Sequence, residues 1–185
     1  MSQGTVLVLS SGGIDSTACI DFYLSSGFTV ESLFIRYGQL AFEREMVAVQ
    51  AITRFYHVPL SIVNASGFKT WSSGYVPGRN AFLLFCALMN LAEQQGLIGL
   101  GIHGGTPYVD CSAGFVLEMQ RSFNLYTNGS VQLDAPFVTW GKRDIWNYCL
   151  SRNVPLDLTY SCEIGKQQPC GNCASCKDLE VLYAG

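Results

Sequence analysis

The sequence predicts an α/β fold: a five-stranded parallel sheet with flanking helices and a small C-terminal metal-binding lobe. Three observations support this. Short apolar runs alternate with longer segments of helical periodicity, the first run ends in a turn rich in Gly and Ser, and four cysteines crowd together near the C-terminus. With 185 residues, 49% hydrophobic and 14% charged, the chain can bury a sizeable core. We expect a nucleotide-binding α/β domain over 1–158 and a four-cysteine lobe over 159–185.

Strands and helices are predicted to alternate along the chain. The predicted strands are 5–9, 30–37, 60–63, 97–103 and 132–135; the predicted helices are 18–26, 41–56, 81–95, the later part of 109–126, and 140–152. This order favours right-handed crossovers and parallel pairing, with a binding site at the carboxyl ends of the strands. Asn80 is predicted to cap the third helix, and a polar loop over 64–76 is expected to lie over the site.

The turn after the first strand reads Ser10-Ser11-Gly12-Gly13-Ile14-Asp15-Ser16-Thr17. Glycines let backbone N–H groups approach an anion closely, and the N-terminus of the next helix adds partial positive charge. Ser11, Ser16 and Thr17 offer hydroxyl donors, and Asp15 could hold a metal ion that bridges phosphate oxygens. The turn has no Walker lysine and no G-x-G-x-x-G pattern. It is either an ordinary Gly–Ser turn or a phosphate-binding loop, and the complete hexamer favours the second.

The cysteines form two groups. Cys162, Cys170, Cys173 and Cys176 have the spacing C-x7-C-x2-C-x2-C, which suits four thiolates around one structural Zn²⁺ ion. An iron–sulfur cluster and a redox C-x-x-C pair are the alternatives. The other four are scattered, and in a reducing compartment we expect most of them to be buried small hydrophobes: Cys19, Cys86, Cys111 and Cys149.

Charge and hydropathy exclude several classes of protein. The formal net charge of −3 argues against a broad nucleic-acid-binding surface. No apolar run is long enough to span a bilayer, and the N-terminus lacks the cationic region of a secretory signal. We therefore expect a cytoplasmic protein.

Several single residues have both a functional and a structural interpretation. Arg79, at the mouth of the third helix, could bind a phosphate or carboxylate, or could be a surface residue beside a cap. His103 could bind a ligand or simply close the fourth strand, and His57 is expected to be structural. The helical stripe of large apolar residues in 109–126 is expected to face the core: Phe115, Met119, Phe123 and Tyr126.

Nearly the whole chain resembles one family. The hexamer within 10–17 is similar to the PP-loop of enzymes that split ATP between the α and β phosphates, and further motifs recur along the sequence. Together they resemble the 7-cyano-7-deazaguanine synthase (QueC-like) family of PP-loop ATP pyrophosphatases: Ser11 to Thr17, Tyr37-Gly38-Gln39, Val76-Pro77-Gly78-Arg79-Asn80, Asp110-Cys111, Pro136-Phe137 with Trp140 and Lys142, and the terminal cysteines.

The resemblance implies an ATP-dependent carbon–nitrogen ligase that activates the carboxylate of 7-carboxy-7-deazaguanine and converts it with ammonia to a nitrile. It implies a homodimer, with ATP, Mg²⁺ and Zn²⁺ as cofactors. The implied catalytic residues are Asp15, Ser16, Arg79 and Lys142. The implied ATP site comprises Ser10 to Thr17, Arg79 and Lys142, and the implied substrate site comprises Tyr37, Gln39, His103, Tyr108 and Asp110.

Two departures from the family pattern bear on the identity of the amine that reacts with the activated carboxylate. Arg36 stands where the family usually has an acidic residue, and the stretch 104–112 is short, with Ser112 where an Arg is expected. A diverged ligase that uses another amine, including one on a partner protein, is therefore an alternative. A PP-loop tRNA thiolase and a non-catalytic zinc-binding interaction module are further alternatives.

Overall fold

The computed structural model describes residues 3–68, 75–91 and 95–184. Its strands are β1 (Thr5–Leu9), β2 (Thr29–Arg36), β3 (Leu60–Asn64), β4 (Gly96–Leu100) and β5 (Val131–Asp134). They form one sheet in the order β3-β2-β1-β4-β5, and every neighbouring pair is parallel. The predicted sheet is confirmed. The order reverses beside β1, so the loops that follow β1 and β4 border a crevice at the carboxyl edge.

Among the described residues, six α-helices accompany the sheet: α1 (Ile14–Ser25), α2 (Phe42–Tyr56), α3 (Arg79–Asn90), α4 (Ala113–Thr127), α5 (Lys142–Arg152) and α6 (Ala174–Tyr183). Alternate residues of β1 point to opposite faces of the sheet and enter two separate cores. Val6 and Val8 pack with α1, α2 and α5, whereas Leu7 and Leu9 pack with α3 and α4. None of the described helices is long and apolar enough to cross a membrane.

A buried carboxylate joins three helices on the first of these faces. Asp21 of α1 is 8% exposed and accepts hydrogen bonds from Tyr148 Oη at 2.7 Å and Arg152 Nε at 3.1 Å, both on α5. Tyr56 Oη of α2 donates a longer bond of 3.4 Å. Burial and the bond to Asp21 raise the pKa of Tyr148 to about 12, so its hydroxyl remains a donor at neutral pH.

Several predicted boundaries are wrong, and two of them matter for the site. The fourth strand ends at Leu100 rather than 103, so His103 lies on a loop. The third helix begins at Arg79 with Gly78 as its N-cap residue, so Asn80 is not a cap. Instead, the buried Asn80 side chain donates to the carbonyl of Asp110 at 2.9 Å.

The C-terminal helix α6 was not predicted at all. Leu182 joins the core, and the rings of Tyr183 and Trp146 meet edge to face with centroids 4.8 Å apart. In α4, Met119 and Phe123 are buried as expected, but Tyr126 is 69% exposed, so its predicted burial is wrong. Part of the predicted loop over 64–76 lies outside the described residues.

The cysteines outside the C-terminal group are mostly buried, as predicted. Cys19, Cys111 and Cys149 are buried, and Cys86 is half-buried. Burial raises the pKa of each of these thiols, so they remain protonated at neutral pH. They therefore behave as small hydrophobic side chains.

Candidate active site

The Gly–Ser loop is held tightly between β1 and α1. Gly12 has φ of +77°, and a Cβ added there would come within 2.9 Å of the Ala48 Cβ and the Glu45 carbonyl oxygen of α2. Only glycine fits this conformation and this close approach without strain. The Gly12 carbonyl also accepts a 2.8 Å bond from the backbone N–H of Tyr160. The loop is therefore a preformed turn.

Within the loop, hydroxyl groups brace the backbone. Thr17 Oγ1 donates to the Gly13 carbonyl at 2.8 Å, and Ser16 Oγ donates to the same oxygen at 3.1 Å. Ser16 Oγ also accepts the Ser11 N–H at 3.2 Å. The N-terminus of α1 is thus presented with Gly13 as its cap, and backbone N–H groups there have the arrangement that binds anions.

The predicted ATP-binding residues do not all face the same way. The Ser10 side chain is buried and accepts a 2.7 Å bond from Ser32 Oγ of β2, and Ile14 belongs to the core. Thr17 is also buried, whereas Ser11 is exposed and Asp15 half-buried. The side chains of Ser11 and Asp15 therefore lie at the surface of the loop. Those of Ser10, Ile14 and Thr17 are buried and support the loop from the protein interior.

Asp15, His103 and Lys142 come together beside the loop, although they are far apart in sequence. Lys142 Nζ donates to both Asp15 carboxylate oxygens, at 2.6 and 2.8 Å. His103 Nε2 lies 3.9 Å from Asp15 Oδ2. His103 Nδ1 accepts the Gly105 N–H at 3.2 Å, which leaves Nε2 to carry the proton that points towards Asp15.

The charge state of His103 follows from its surroundings. The residue is 6% exposed, and burial lowers its pKa below the usual range, an effect that Asp15 opposes and Lys142 reinforces. His103 is therefore neutral at pH 7, and the one fixed cation at Asp15 among these three residues is Lys142.

Two loops carry His103 and Lys142 to Asp15. The chain after β4 packs directly on α1, since a Cβ added at Gly101 would lie 2.6 Å from the Asp15 carbonyl oxygen. The N–H of Gly104 then donates to the carbonyl of Trp140 at 3.1 Å, which ties this loop to the start of α5. Lys142 is the first residue of α5.

A cavity of about 580 Å³ lies between the loop after β2, the start of α3 and the cysteine lobe, and its lining residue Glu45 belongs to the turn of α2 that packs against Gly12 of the PP-loop. Its polar lining includes Tyr37, Gln39, Glu45 and Arg79. Burial raises the pKa of Glu45, while a hydrogen bond from Gln39 and the charge of Arg79 oppose that shift. The size is in the range of small-molecule sites.

The other predicted substrate-binding residues are placed differently. Asp110 is buried, and its backbone carbonyl accepts a hydrogen bond from the Asn80 side chain. The Tyr108 ring stacks on Tyr75 at 5.2 Å between centroids. His103 lies with Asp15 and Lys142, whereas Tyr37 and Gln39 line the cavity with Arg79. The predicted set is therefore divided between at least two places.

The four C-terminal cysteines converge. Their sulfur atoms all lie within 4.8 Å of one another, and Cys170 and Cys176 are 3.9 Å apart. Zn–S bonds of about 2.3 Å in a tetrahedron put the sulfurs ~3.8 Å apart, so the cluster fits one zinc ion. In a [4Fe–4S] cluster each thiolate binds a different iron, and in a [2Fe–2S] cluster the four thiolates are divided between two irons, so in both cases some of the sulfurs lie further apart. The spacing favours zinc.

Backbone donors favour the thiolate form of two of these cysteines, Cys162 and Cys170, whereas burial raises the pKa of Cys176 to about 12. Burial alone would raise the pKa of Cys162, but hydrogen bonds from the N–H groups of Cys170 and Ile164 lower it to about 6. The N–H groups of Asn172 and Cys173 lower the pKa of Cys170 in the same way. Thiolate is the form that binds metal, so the local backbone favours it.

The cysteine lobe also forms one wall of the cavity. The lobe residues that line the cavity lie between Cys162 and Cys173 and include Glu163, Lys166 and Asn172. Gly165, with φ of +75°, sits against the loop after β2, where an added Cβ would be 2.5 Å from the Leu40 carbonyl oxygen. A metal ion bound by the four cysteines would therefore also fix the shape of the cavity.

The Gly–Ser loop, the parallel sheet and the cluster of Asp15, His103 and Lys142 are the features of a PP-loop enzyme of the adenine nucleotide alpha hydrolase-like fold, a class that uses ATP. The family model described as queuosine biosynthesis protein QueC matches residues 5–74 and 64–181. The chain belongs to this family.

Individual relatives agree with the family match. The 7-cyano-7-deazaguanine synthase of Microcystis aeruginosa is 32% identical, over 97% of this chain and 91% of that protein. The protein of the same name from Gloeothece citriformis is 30% identical, over 100% of this chain and 94% of its own length. A third, from Thermoplasma volcanium, is 28% identical over 92% and 83% respectively.

Solved structures support the fold alone. The U34-tRNA thiolase NcsA from Methanococcus maripaludis, solved with its [4Fe-4S] cluster, matches with a TM-score of 0.59 at 14% identity, covering 100% of this chain and 66% of the thiolase. A 4-thiouridine synthetase in complex with RNA and ATP matches with a TM-score of 0.58 at 20% identity, covering 98% of this chain and 50% of that one.

Glu45 is a lining residue that sequence reasoning missed. It precedes Val49 and Ile52 by four and seven residues, which places a carboxylate on the buried stripe of α2. An acidic residue on the apolar face of a helix is the signal that could have identified it.

Proposed function

We propose that this protein is a 7-cyano-7-deazaguanine synthase, which uses ATP and ammonia to turn the carboxylate of 7-carboxy-7-deazaguanine into a nitrile. The observation that carries the proposal is the Asp15–Lys142 pair beside the PP-loop, in a chain that aligns over 97% of its length with a relative of that name. The net charge of −3 and the compact spacing of the four sulfurs disfavour a tRNA thiolase.

The reaction needs two activations. The substrate carboxylate attacks the α-phosphate of ATP, which releases pyrophosphate and gives an acyl-adenylate. Ammonia then attacks the carbonyl carbon, AMP leaves with one carboxylate oxygen, and the amide loses a proton to solvent. The amide oxygen then attacks the α-phosphate of a second ATP, which releases a second pyrophosphate. Loss of AMP with that oxygen, together with both N–H protons of the amide, gives the nitrile. No protein nucleophile is required.

In this proposal the PP-loop holds the pyrophosphate that leaves. The N–H groups at the start of α1 and the hydroxyl of Ser11 bind its oxygens, while Ser16 and Thr17 brace the turn. Lys142 exchanges one of its contacts with Asp15 for a phosphate oxygen, and Arg79 faces the α-phosphate or the substrate carboxylate from the cavity. These fixed charges stabilise the negative charge that develops during transfer.

A carboxylate at the surface of the loop suits a divalent ion, because Mg²⁺ binds through one or two carboxylates together with phosphate oxygens. Asp15 is half-buried and pairs with a lysine that can move to phosphate, so it fits this role. When bound with ATP, Mg²⁺ neutralises phosphate charge and favours departure of pyrophosphate.

Zinc has a structural role in the proposal. The four cysteines would fill the coordination sphere of Zn²⁺ and leave no open position for chemistry. The bound ion would fix the lobe that walls the cavity. A zinc thiolate site requires reduced cysteines, which suits the cytoplasm.

A homodimer is part of the proposal. Met89 at the end of α3 is 85% exposed, and Leu125 and Tyr126 of α4 are 81% and 69% exposed. Phe85 of α3 contacts Tyr126 edge to face, so the two helices present one apolar surface. A second copy of this surface would cover it. Light scattering should give the mass of a dimer, and Leu125→Lys should give that of a monomer.

Mass spectrometry of the products tests the activity. The purified protein is incubated with Mg–ATP, 7-carboxy-7-deazaguanine and ¹⁵N-ammonium, alongside an Asp15→Ala variant. The proposal predicts a ¹⁵N-nitrile with two AMP per product, and neither with the variant. An amide or another adduct as the final product would support a diverged ligase instead. No AMP with this substrate would contradict the proposed function.

A further inference from the structure

The cavity beside the PP-loop places an acceptor and a cation in the same small space. Its acidic lining residues are Glu45 and Glu163, and its basic ones are Arg79 and Lys166. Tyr37, in the loop after β2, lies against Arg79 at the start of α3. An ionised carboxylate accepts hydrogen bonds only, whereas a guanidinium donates only. The cavity is therefore suited to a ligand that has N–H donors on one side and an anionic group on another.

Gln39 holds the Glu45 carboxylate in place. Its Nε2 donates to Glu45 Oε2 at 3.1 Å and to the Ile35 carbonyl at 3.0 Å, and its Oε1 accepts the Tyr37 N–H at 2.8 Å. The amide of Gln39 is thus engaged at both ends by the protein itself. Gln39, predicted from sequence to bind substrate, is placed to position Glu45 instead.

One oxygen of Glu45 remains for a ligand. Gln39 bonds Oε2, and within residues 3–68, 75–91 and 95–184 no donor within hydrogen-bonding distance serves Oε1. The Glu45 side chain is half-buried, on a helix whose neighbouring turns pack into the core. A carboxylate in such a setting gains from a ligand that supplies the missing N–H groups.

We infer that Glu45 recognises the guanine-type edge of the substrate, accepting its N1–H and 2-amino N–H groups while Arg79 pairs with the 7-carboxylate. The inference rests on the proposed function and names the residue that sets its base specificity. A guanine-type ring carries two adjacent donors on this edge, which a carboxylate matches. Adenine offers one donor beside an unprotonated ring nitrogen, whose lone pair would face the carboxylate, so the cavity disfavours the adenine of ATP.

Paired binding measurements test the inference. Calorimetry gives the affinity of wild type and Glu45→Gln for 7-carboxy-7-deazaguanine, for its analogue without the 2-amino group, and for Mg–ATP. Glu43→Gln is the matched control, because Glu43 is exposed on the same helix. We expect wild type to bind the substrate roughly 10- to 100-fold more tightly than the analogue, the worth of a hydrogen bond to a charged group. In Glu45→Gln that ratio should fall to near one, and affinity for Mg–ATP should not change.

Two outcomes would overturn the inference. If Glu45→Gln keeps the wild-type preference for the 2-amino group, Glu45 does not read that edge. If its affinity for Mg–ATP falls together with that for the substrate, the cavity binds the nucleotide. Both outcomes are compatible with nitrile formation by the wild type, whereas failure of the wild type to convert the substrate would contradict the proposed function itself.

Discussion

The two strongest sequence motifs build their sites in opposite ways. The cysteine lobe gathers four sulfurs from one segment of fifteen residues, and they meet within 4.8 Å. The PP-loop site gathers Asp15, His103 and Lys142 from three parts of the chain, and the Asp15–Lys142 pair is 127 residues apart in sequence. The first site depends on local turns and a metal ion, and the second depends on the sheet that aligns the ends of β1, β4 and β5.

This difference predicts how each site fails when a residue is changed. Loss of a side chain at the PP-loop should remove chemistry and leave the fold intact, because the sheet holds the loop. Loss of a cysteine should unfold the lobe locally and act on the cavity through its wall. Substitutions at the two sites can sharpen or break this contrast.

The largest effect is expected from Asp15→Asn, which keeps the shape of the side chain and removes its charge. AMP formation should fall by about 10³-fold, because the loop loses its proposed metal ligand and the partner of Lys142. The measurement is the rate of AMP release, with circular dichroism to confirm folding. Asp157→Asn, at an exposed position, is the charge-matched control. Near-normal activity of Asp15→Asn would contradict the role given to this residue.

Lys142→Met should have the next largest effect, about 10²-fold on AMP formation. Its stem is preserved, but its ammonium, 2.6 Å from Asp15, is lost. Affinity for pyrophosphate, measured by calorimetry, should fall with the rate if Lys142 moves to phosphate. Lys177→Met, exposed on α6, provides the comparison. An unchanged pyrophosphate affinity would show that Lys142 does not bind phosphate and serves only to position Asp15.

Zinc removal, or Cys173→Ser, should lower affinity for 7-carboxy-7-deazaguanine by at least about tenfold, the worth of one lost hydrogen bond to a charged group. The reason is loss of the lobe residues that line the cavity. Trp146 fluorescence should change as well, because Tyr183 of α6 lies against it. Cys86→Ser, outside the lobe, should behave like wild type. Full substrate affinity in the metal-free protein would show that the lobe and the cavity are independent.

The smallest effect on AMP formation is expected from Tyr148→Phe, which lies away from both sites. It removes a 2.7 Å hydrogen bond to the buried Asp21 and should lower the free energy of unfolding by about 1.5 kcal/mol, with AMP formation per folded molecule unchanged. Urea unfolding measures the first quantity. Tyr183→Phe, an exposed tyrosine, is the control. A loss of activity without a loss of stability would connect this network to the site.

Sequence patterns predicted what is local and missed what depends on packing. The alternation of strands and helices, the PP-loop and the cysteine cluster follow from runs of adjacent residues. The end of β4 at Leu100 does not, because the approach of Gly101 to α1 decides it. Asn80 resembled a cap by residue type, yet its nearest acceptor is a carbonyl thirty residues away. Helix α6 was missed because its cysteines were assigned only to metal.

The division of the predicted substrate residues has a similar cause. Tyr37 and Gln39 follow β2, whereas His103 follows β4, and the sheet order separates these strands by β1. No pattern in the sequence sets that distance. The position of Glu45 on the buried stripe of α2 signals a carboxylate near the core, but no local pattern shows that it lines a cavity, because the cysteine lobe that encloses this space comes from a distant part of the chain.

The most direct test of the central claim follows the oxygen atoms of the substrate. 7-Carboxy-7-deazaguanine labelled with ¹⁸O at both carboxylate positions is incubated with the protein, Mg–ATP and ammonium, and AMP is analysed by mass spectrometry. If the carboxylate and then the amide attack the α-phosphate, each nitrile appears with two AMP molecules that carry one ¹⁸O each. Unlabelled AMP would mean that water attacks the nucleotide, and it would contradict adenylylation of the substrate by this protein.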